Sequence, residues 1–135
     1  MDKIIHHSKY KYKKDNGICT FGGCSLPICK ETKIYCTKHR EYNRQALQSR
    51  MLAIKLEVLN AYGGPKCVHC GETELWVLCI DHIAGGGKKE FKSLNVKGGW
   101  TFYRKLKKLG FPKGVYQVLC ANCNLYKQIH GDLCQ

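Results

Sequence analysis

Asp81 and His82 stand next to each other, a carboxylate beside an imidazole. They are bracketed by two cysteine pairs, Cys67-x2-Cys70 and Cys120-x2-Cys123, separated by 49 residues. Four thiolates in two close pairs are a ligand set for one tetrahedral zinc ion, and this spacing favours metal over disulfides. One zinc held by all four would draw the segment carrying Asp81 against the segment that follows Cys123. There Asn124 offers an amide oxygen. A carboxylate and an amide oxygen are hard donors, suited to magnesium or manganese rather than to zinc. Successive strand residues point to opposite faces, so His82 is expected clear of that metal and placed to act on a water.

Upstream, Cys19-x4-Cys24 and Cys36-x2-His39 form a second set of four ligands, again expected to close around zinc. Cys29 lies between these pairs without a near partner and reads as a small buried residue or a spare thiol. The chain has ten cysteines in 135 residues and opens Met1-Asp2-Lys3 with no apolar signal segment. Both features point to metal ligation in a reducing, cytoplasmic compartment. No run approaches about 18 apolar residues, so no membrane span is expected. The formal charge is +13; seven ligand thiolates remove seven charges and two zinc ions return four, leaving about +10. Such a balance points to a polyanionic partner, of which nucleic acid is the commonest.

The elements that must position these residues follow from pattern. Residues 1–16 read as a basic arm, with Tyr10 and Tyr12 among lysines, lying on phosphate. Residues 17–63 hold the upstream cluster and a helix of about 25 residues from Thr37. Its apolar stripe, Leu47, Met51, Ile54 and Val58, is either core or the interface of a homodimer. Gly63-Gly64-Pro65 ends it. In residues 65–135, Leu75 to Ile80 reads as a buried strand that delivers Asp81-His82 at its end. Gly85-Gly86-Gly87 reads as a loop leading to Lys88 and Lys89. Residues 100–109 form an amphipathic helix with Phe102, Leu106 and Leu109 inward and Arg104, Lys105, Lys107 and Lys108 outward. Val115 to Leu119 is a second strand and Ala121 to His130 a last helix. The outward basic residues, with Lys88, Lys89 and Lys127, are the expected contacts to a DNA backbone.

Taken together, Cys67-x2-Cys70, Asp81-His82-Ile83 and the run Leu119-Cys120-Ala121-Asn122-Cys123-Asn124-Leu125-Tyr126-Lys127 resemble the HNH endonucleases with a ββα-metal active site. Small phage-type and homing-type members are the most similar, and the resemblance covers residues 65–131. It implies a small zinc-stabilised α+β fold: a ββα-metal core preceded by a zinc-finger-like cluster and a long helix. It implies His82 as general base, Asp81 and Asn124 as ligands of a catalytic magnesium or manganese, and the four bracketing cysteines on a structural zinc. Cys19, Cys24, Cys36 and His39 resemble the accessory zinc fingers attached to such nucleases. The implied substrate is double-stranded DNA, hydrolysed to 5′-phosphate and 3′-hydroxyl ends, and the implied setting includes a phage-encoded chain acting inside its host. His130 is a further candidate for the metal shell or the leaving group. Where the family usually carries an asparagine that fixes the base-bearing loop, this chain has Val115. A backbone carbonyl is the expected substitute, with Asn95 as the alternative. Basic charge and two zinc clusters suit a non-catalytic zinc-dependent DNA-binding module equally well, and a zinc ribbon for RNA or for protein assembly less well. Only Asp81, His82 and Asn124 argue for catalysis.

Overall fold

A computed structural model describes residues 2–96 and 98–131, with side chains except those of residues 2–8 and Lys88. The phosphate contact expected of Lys88 therefore lies outside the described residues. The chain divides into two compact units, Met1–Arg50 and Met51–Gln135.

In the first unit the stretch expected as an arm is helix α1 (Asp2–Asp15). Neither glycine nor proline interrupts it. Near its end the Lys13 ammonium donates to the carbonyls of Cys24 at 2.7 Å and Phe21 at 3.3 Å, which ties the helix to the loop bearing the first cysteines. That loop is pinned by backbone hydrogen bonds from Cys19 to Leu26, Thr20 to Ile34 and Cys29 to Tyr35, each 2.9 Å. Thr32 closes its last turn by donating to the Tyr35 carbonyl and accepting from the Tyr35 N–H. Helix α2 (Thr37–Ala61) follows and runs on into the second unit, with the bounds expected of it. It stops where Gly63 and Gly64 adopt positive φ angles of 106° and 101° and the Gly64 N–H returns to the Leu59 carbonyl. Of the expected stripe only Val58 is buried, and Ile54 packs beside it; Leu47 and Met51 are exposed.

The second unit contains β1 (Leu78–His82), α3 (Gly87–Ser93), α4 (Gly99–Lys108), β2 (Tyr116–Cys120) and α5 (Ala121–His130). The strands pair antiparallel, with Leu78 opposite Cys120, Asp81 opposite Gln117 and His82 opposite Tyr116. Strand β1 begins three residues later than its apolar run suggests. Carboxylates of Glu72 and Glu74 accept from the N–H groups of Thr73, Glu74 and Trp76, holding that stretch in turns. Asp81 and His82 are the last two residues of the strand, where they were expected. The expected glycine loop is shorter than anticipated: Gly85 and Gly86 take positive φ, and α3 starts directly after them. Two small apolar clusters make the core. One joins Leu59, Leu78, Val118 and Leu119 to Cys67, Cys120 and Cys123. The other joins Val58, Phe102, Leu106 and Tyr116. Leu109, expected inward, is instead the half-exposed residue that ends α4. Among the described residues no helix is long and apolar enough to cross a membrane.

The inward face of α4 can be tested by unfolding. Phe102→Ala should cost about 3–5 kcal/mol, whereas Leu109→Ala should change stability by less than about 0.5 kcal/mol. Urea titration followed by tryptophan fluorescence reads both, and equal losses would refute the assigned facing.

Candidate functional site

The bracketing cysteines converge. Ligand atoms of Cys67, Cys70, Cys120 and Cys123 all lie within 4.8 Å of one another. A zinc–sulfur bond of about 2.3 Å in a tetrahedron separates sulfurs by roughly 3.8 Å, and the Cys70 and Cys120 sulfurs are 3.6 Å apart. The site can hold zinc. The first knuckle is attached to the sheet by the hydrogen bond from the Val68 N–H to the Val118 carbonyl. The second is the start of α5: Cys120 is its N-cap, and its sulfur accepts from the Cys123 N–H. Burial would raise the Cys67 thiol, but backbone N–H groups of Cys70, Cys120 and His69 outweigh it and lower the thiol to about 6. Burial and the neighbouring thiols push Cys123 the other way. A divalent ion would resolve that conflict by taking all four as thiolates. His69 Nδ1 lies 3.3 Å from the Cys123 sulfur, a contact of the kind that orients a metal ligand and one the spacing of the cysteines gave no reason to expect.

Cys19, Cys24, Cys36 and His39 form the second such group, also within 4.8 Å and also able to hold zinc. His39 presents Nδ1, at 3.4 Å from the Cys19 sulfur and 3.3 Å from that of Cys36. Its ring is held by Phe21, stacked at 4.0 Å with an interplanar angle of 7°. The Cys19 thiol is also lowered to about 6; burial opposes this, but N–H groups of Cys36 and Phe21 and the His39 ring prevail. Cys29 faces Thr32 instead of the cluster.

Asp81 and His82 separate as strand neighbours must. Asp81 turns toward α5, where its Oδ2 accepts from Lys127 Nζ at 2.5 Å and from its cross-strand partner Gln117 at 2.9 Å. Lys127 also donates to the main-chain oxygens of His82 at 2.6 Å and Ile83 at 3.0 Å. Asn124 shares this face: its amide nitrogen meets the sulfur of Cys79, two residues before Asp81, while its Oδ1 accepts from Gln128. Burial, reinforced by the Asp81 charge, pushes the Cys79 thiol up, in keeping with a neutral packing residue. Asp81 Oδ2 and the main-chain oxygens of His82 and Ile83 thus converge on one positive charge. That charge is the Lys127 ammonium, whose side chain is 12% exposed in its pair with Asp81.

His82 turns to the opposite side. Its ring lies against Phe102, 5.8 Å between centroids, and edge-on to Tyr116 at 4.9 Å. Its Nε2 contacts Glu90 Oε2, and the Tyr116 hydroxyl donates to Glu90 Oε1 at 2.5 Å. Burial alone would raise the Glu90 carboxyl, but the His82 and Tyr116 hydrogen bonds hold it below the usual range. Burial and the Glu90 charge push the Tyr116 phenol up, so it stays a donor. The sequence reading missed Glu90, although it is the only acidic residue between Asp81 and Asp132. The other candidates are elsewhere. The Val115 carbonyl accepts from Ile83 rather than from the imidazole. Asn95, exposed and at φ 50°, terminates the turn after α3. His130 is exposed at the end of α5 with its ring on Tyr126. Lys89, Arg104 and Lys108 are exposed and Lys105 half-buried, while Lys107 pairs with Glu57 at 2.7 Å. No family model matches this chain, and no curated protein or solved structure does either.

Purified protein is expected to carry two zinc ions per chain by elemental analysis, falling to one in Cys120→Ala and one in Cys36→Ala. Full occupancy in either variant would show that its cluster does not bind the metal.

Proposed function

We propose that this chain is a metal-dependent endonuclease of the HNH kind acting on double-stranded DNA. The observation that carries the reading is the division of labour in β1. Adjacent residues send a carboxylate to the face shared with Asn124 and an imidazole to the other, on a strand paired with β2, which runs into α5 at the four-thiol cluster. The charge of +13 supports a nucleic-acid partner. Both cysteine-rich clusters are structural zinc sites in this reading.

DNA phosphates are drawn to the exposed cations Lys89, Arg104 and Lys108. The His82 imidazole takes a proton from a water, and that water attacks phosphorus in line. The 3′ oxygen leaves and takes a proton from solvent, so the products carry 5′-phosphate and 3′-hydroxyl ends. Asp81 and Asn124 would hold magnesium or manganese, which would supply positive charge against the phosphate oxygens. For those two residues to serve, the Lys127 ammonium must give up Asp81 Oδ2. One site cuts one strand; a monomer therefore nicks, and a double-strand break needs a second copy or a second event. The Lys127–Asp81 ion pair, each side chain 12% exposed, favours a second reading. In it the ammonium neutralises the carboxylate permanently, and the chain is a zinc-dependent DNA-binding module without catalysis.

Supercoiled plasmid with magnesium separates the two. The wild-type protein should convert it to open circles, and His82→Ala, at the same zinc content, should be slower by about 100-fold or more. Equal nicking by that variant would remove His82 from the chemistry, and no nicking by the wild type would leave the binding module.

A further inference from the structure

The imidazole of a general base must present one nitrogen bare and hold the other still. We infer that Glu90 is the positioning residue that does this for His82, a role that rests on the nuclease reading for its purpose but not for its geometry. Glu90 Oε2 contacts Nε2 of His82. An ionised carboxylate only accepts hydrogen bonds, so the proton of the neutral ring resides on Nε2 and the lone pair on Nδ1. Nδ1 is thus the atom that takes the proton from water.

Four features make the arrangement more than a chance contact. Glu90 is held at both oxygens, since the Tyr116 hydroxyl donates to Oε1 at 2.5 Å. Tyr116 is paired with His82 across the sheet, so one register fixes the ring, the carboxylate and the phenol together. The ring is packed between Phe102 and the edge of Tyr116 and is only 12% exposed. Lastly, the residue beside Nδ1 is Gly87. A Cβ there would stand 2.9 Å from Nδ1 and 3.1 Å from Cε1, so a side chain would press on the edge that must meet water. Gly87 has no positive φ to demand a glycine, and the close approach to the imidazole is its constraint.

In this chain a charged acceptor from α3 does what a backbone carbonyl or Asn95 was expected to do. A carboxylate is the stronger partner, because it also stabilises the imidazolium that forms when the water gives up its proton. The carboxylate stays ionised throughout: the proton moves from water to Nδ1, and Glu90 keeps its two hydrogen bonds.

Nitrogen-15 NMR of histidine-labelled, zinc-loaded protein without DNA reads the tautomer directly. Neutral His82 in the wild type should show protonated Nε2 and bare Nδ1; protonation at Nδ1 would overturn the inference with no variant needed. In Glu90→Ala that preference should be lost and kcat for plasmid nicking should fall at least about tenfold with KM unchanged. Glu90→Gln, which keeps an oxygen acceptor, should retain the tautomer and recover part of the rate. A Glu90→Ala protein that keeps two zinc ions, the wild-type tautomer and the wild-type rate would also overturn it. Should the wild type fail to nick, the nuclease reading falls, and the tautomer alone then decides the role of Glu90.

Discussion

Four sulfur atoms brought within 4.8 Å of one another tie together two parts of the chain that are 49 residues apart. The second unit depends on that convergence. Its apolar clusters are small, and the one beneath the sheet draws three of its seven buried members from the same cysteines. A two-stranded sheet has little independent stability, and a domain of this size often relies on a metal to complete what its core begins. Once the knuckles meet, β2 must run into α5 through Cys120, and β1 must pair with β2 in one register. Energy released on binding a metal at these four thiols would thereby be folding energy.

From that register the chemistry follows. Pairing His82 with Tyr116 places the imidazole between aromatic rings and within reach of Glu90; pairing Asp81 with Gln117 turns the carboxylate to α5. Alternation along one strand sends the carboxylate and the imidazole to different partners, Lys127 and Glu90, one residue apart. Lys127 fits the same logic. Three oxygens converge on one position, and the Lys127 ammonium from α5 fills it.

Much of this was legible from residue types. Ligand spacing is a local property, so both clusters could be read from the sequence, as could the bounds of α5 and the end of α2 at a glycine pair. Helix α3 was not legible, because three glycines and two lysines read as a loop and seven residues are too few to show a period. Glu90 was hidden with it. The onset of β1 was misread because carboxylates of Glu72 and Glu74 hold an apolar run in turns, a competition between side chain and ladder that hydrophobicity does not record. The role of Lys127 depends on the distance between α5 and β1, which no local pattern contains.

The central claim is that Asp81 and Asn124 form a site for a hard divalent ion distinct from the two cysteine clusters. Anomalous diffraction at the manganese edge, from crystals of zinc-loaded protein soaked in manganese, tests it most directly. A peak bonded to Asp81 and Asn124 oxygens, with Lys127 Nζ withdrawn from Asp81, is the expected result. A protein saturated with manganese that shows no peak there, and Lys127 still on Asp81, would contradict it.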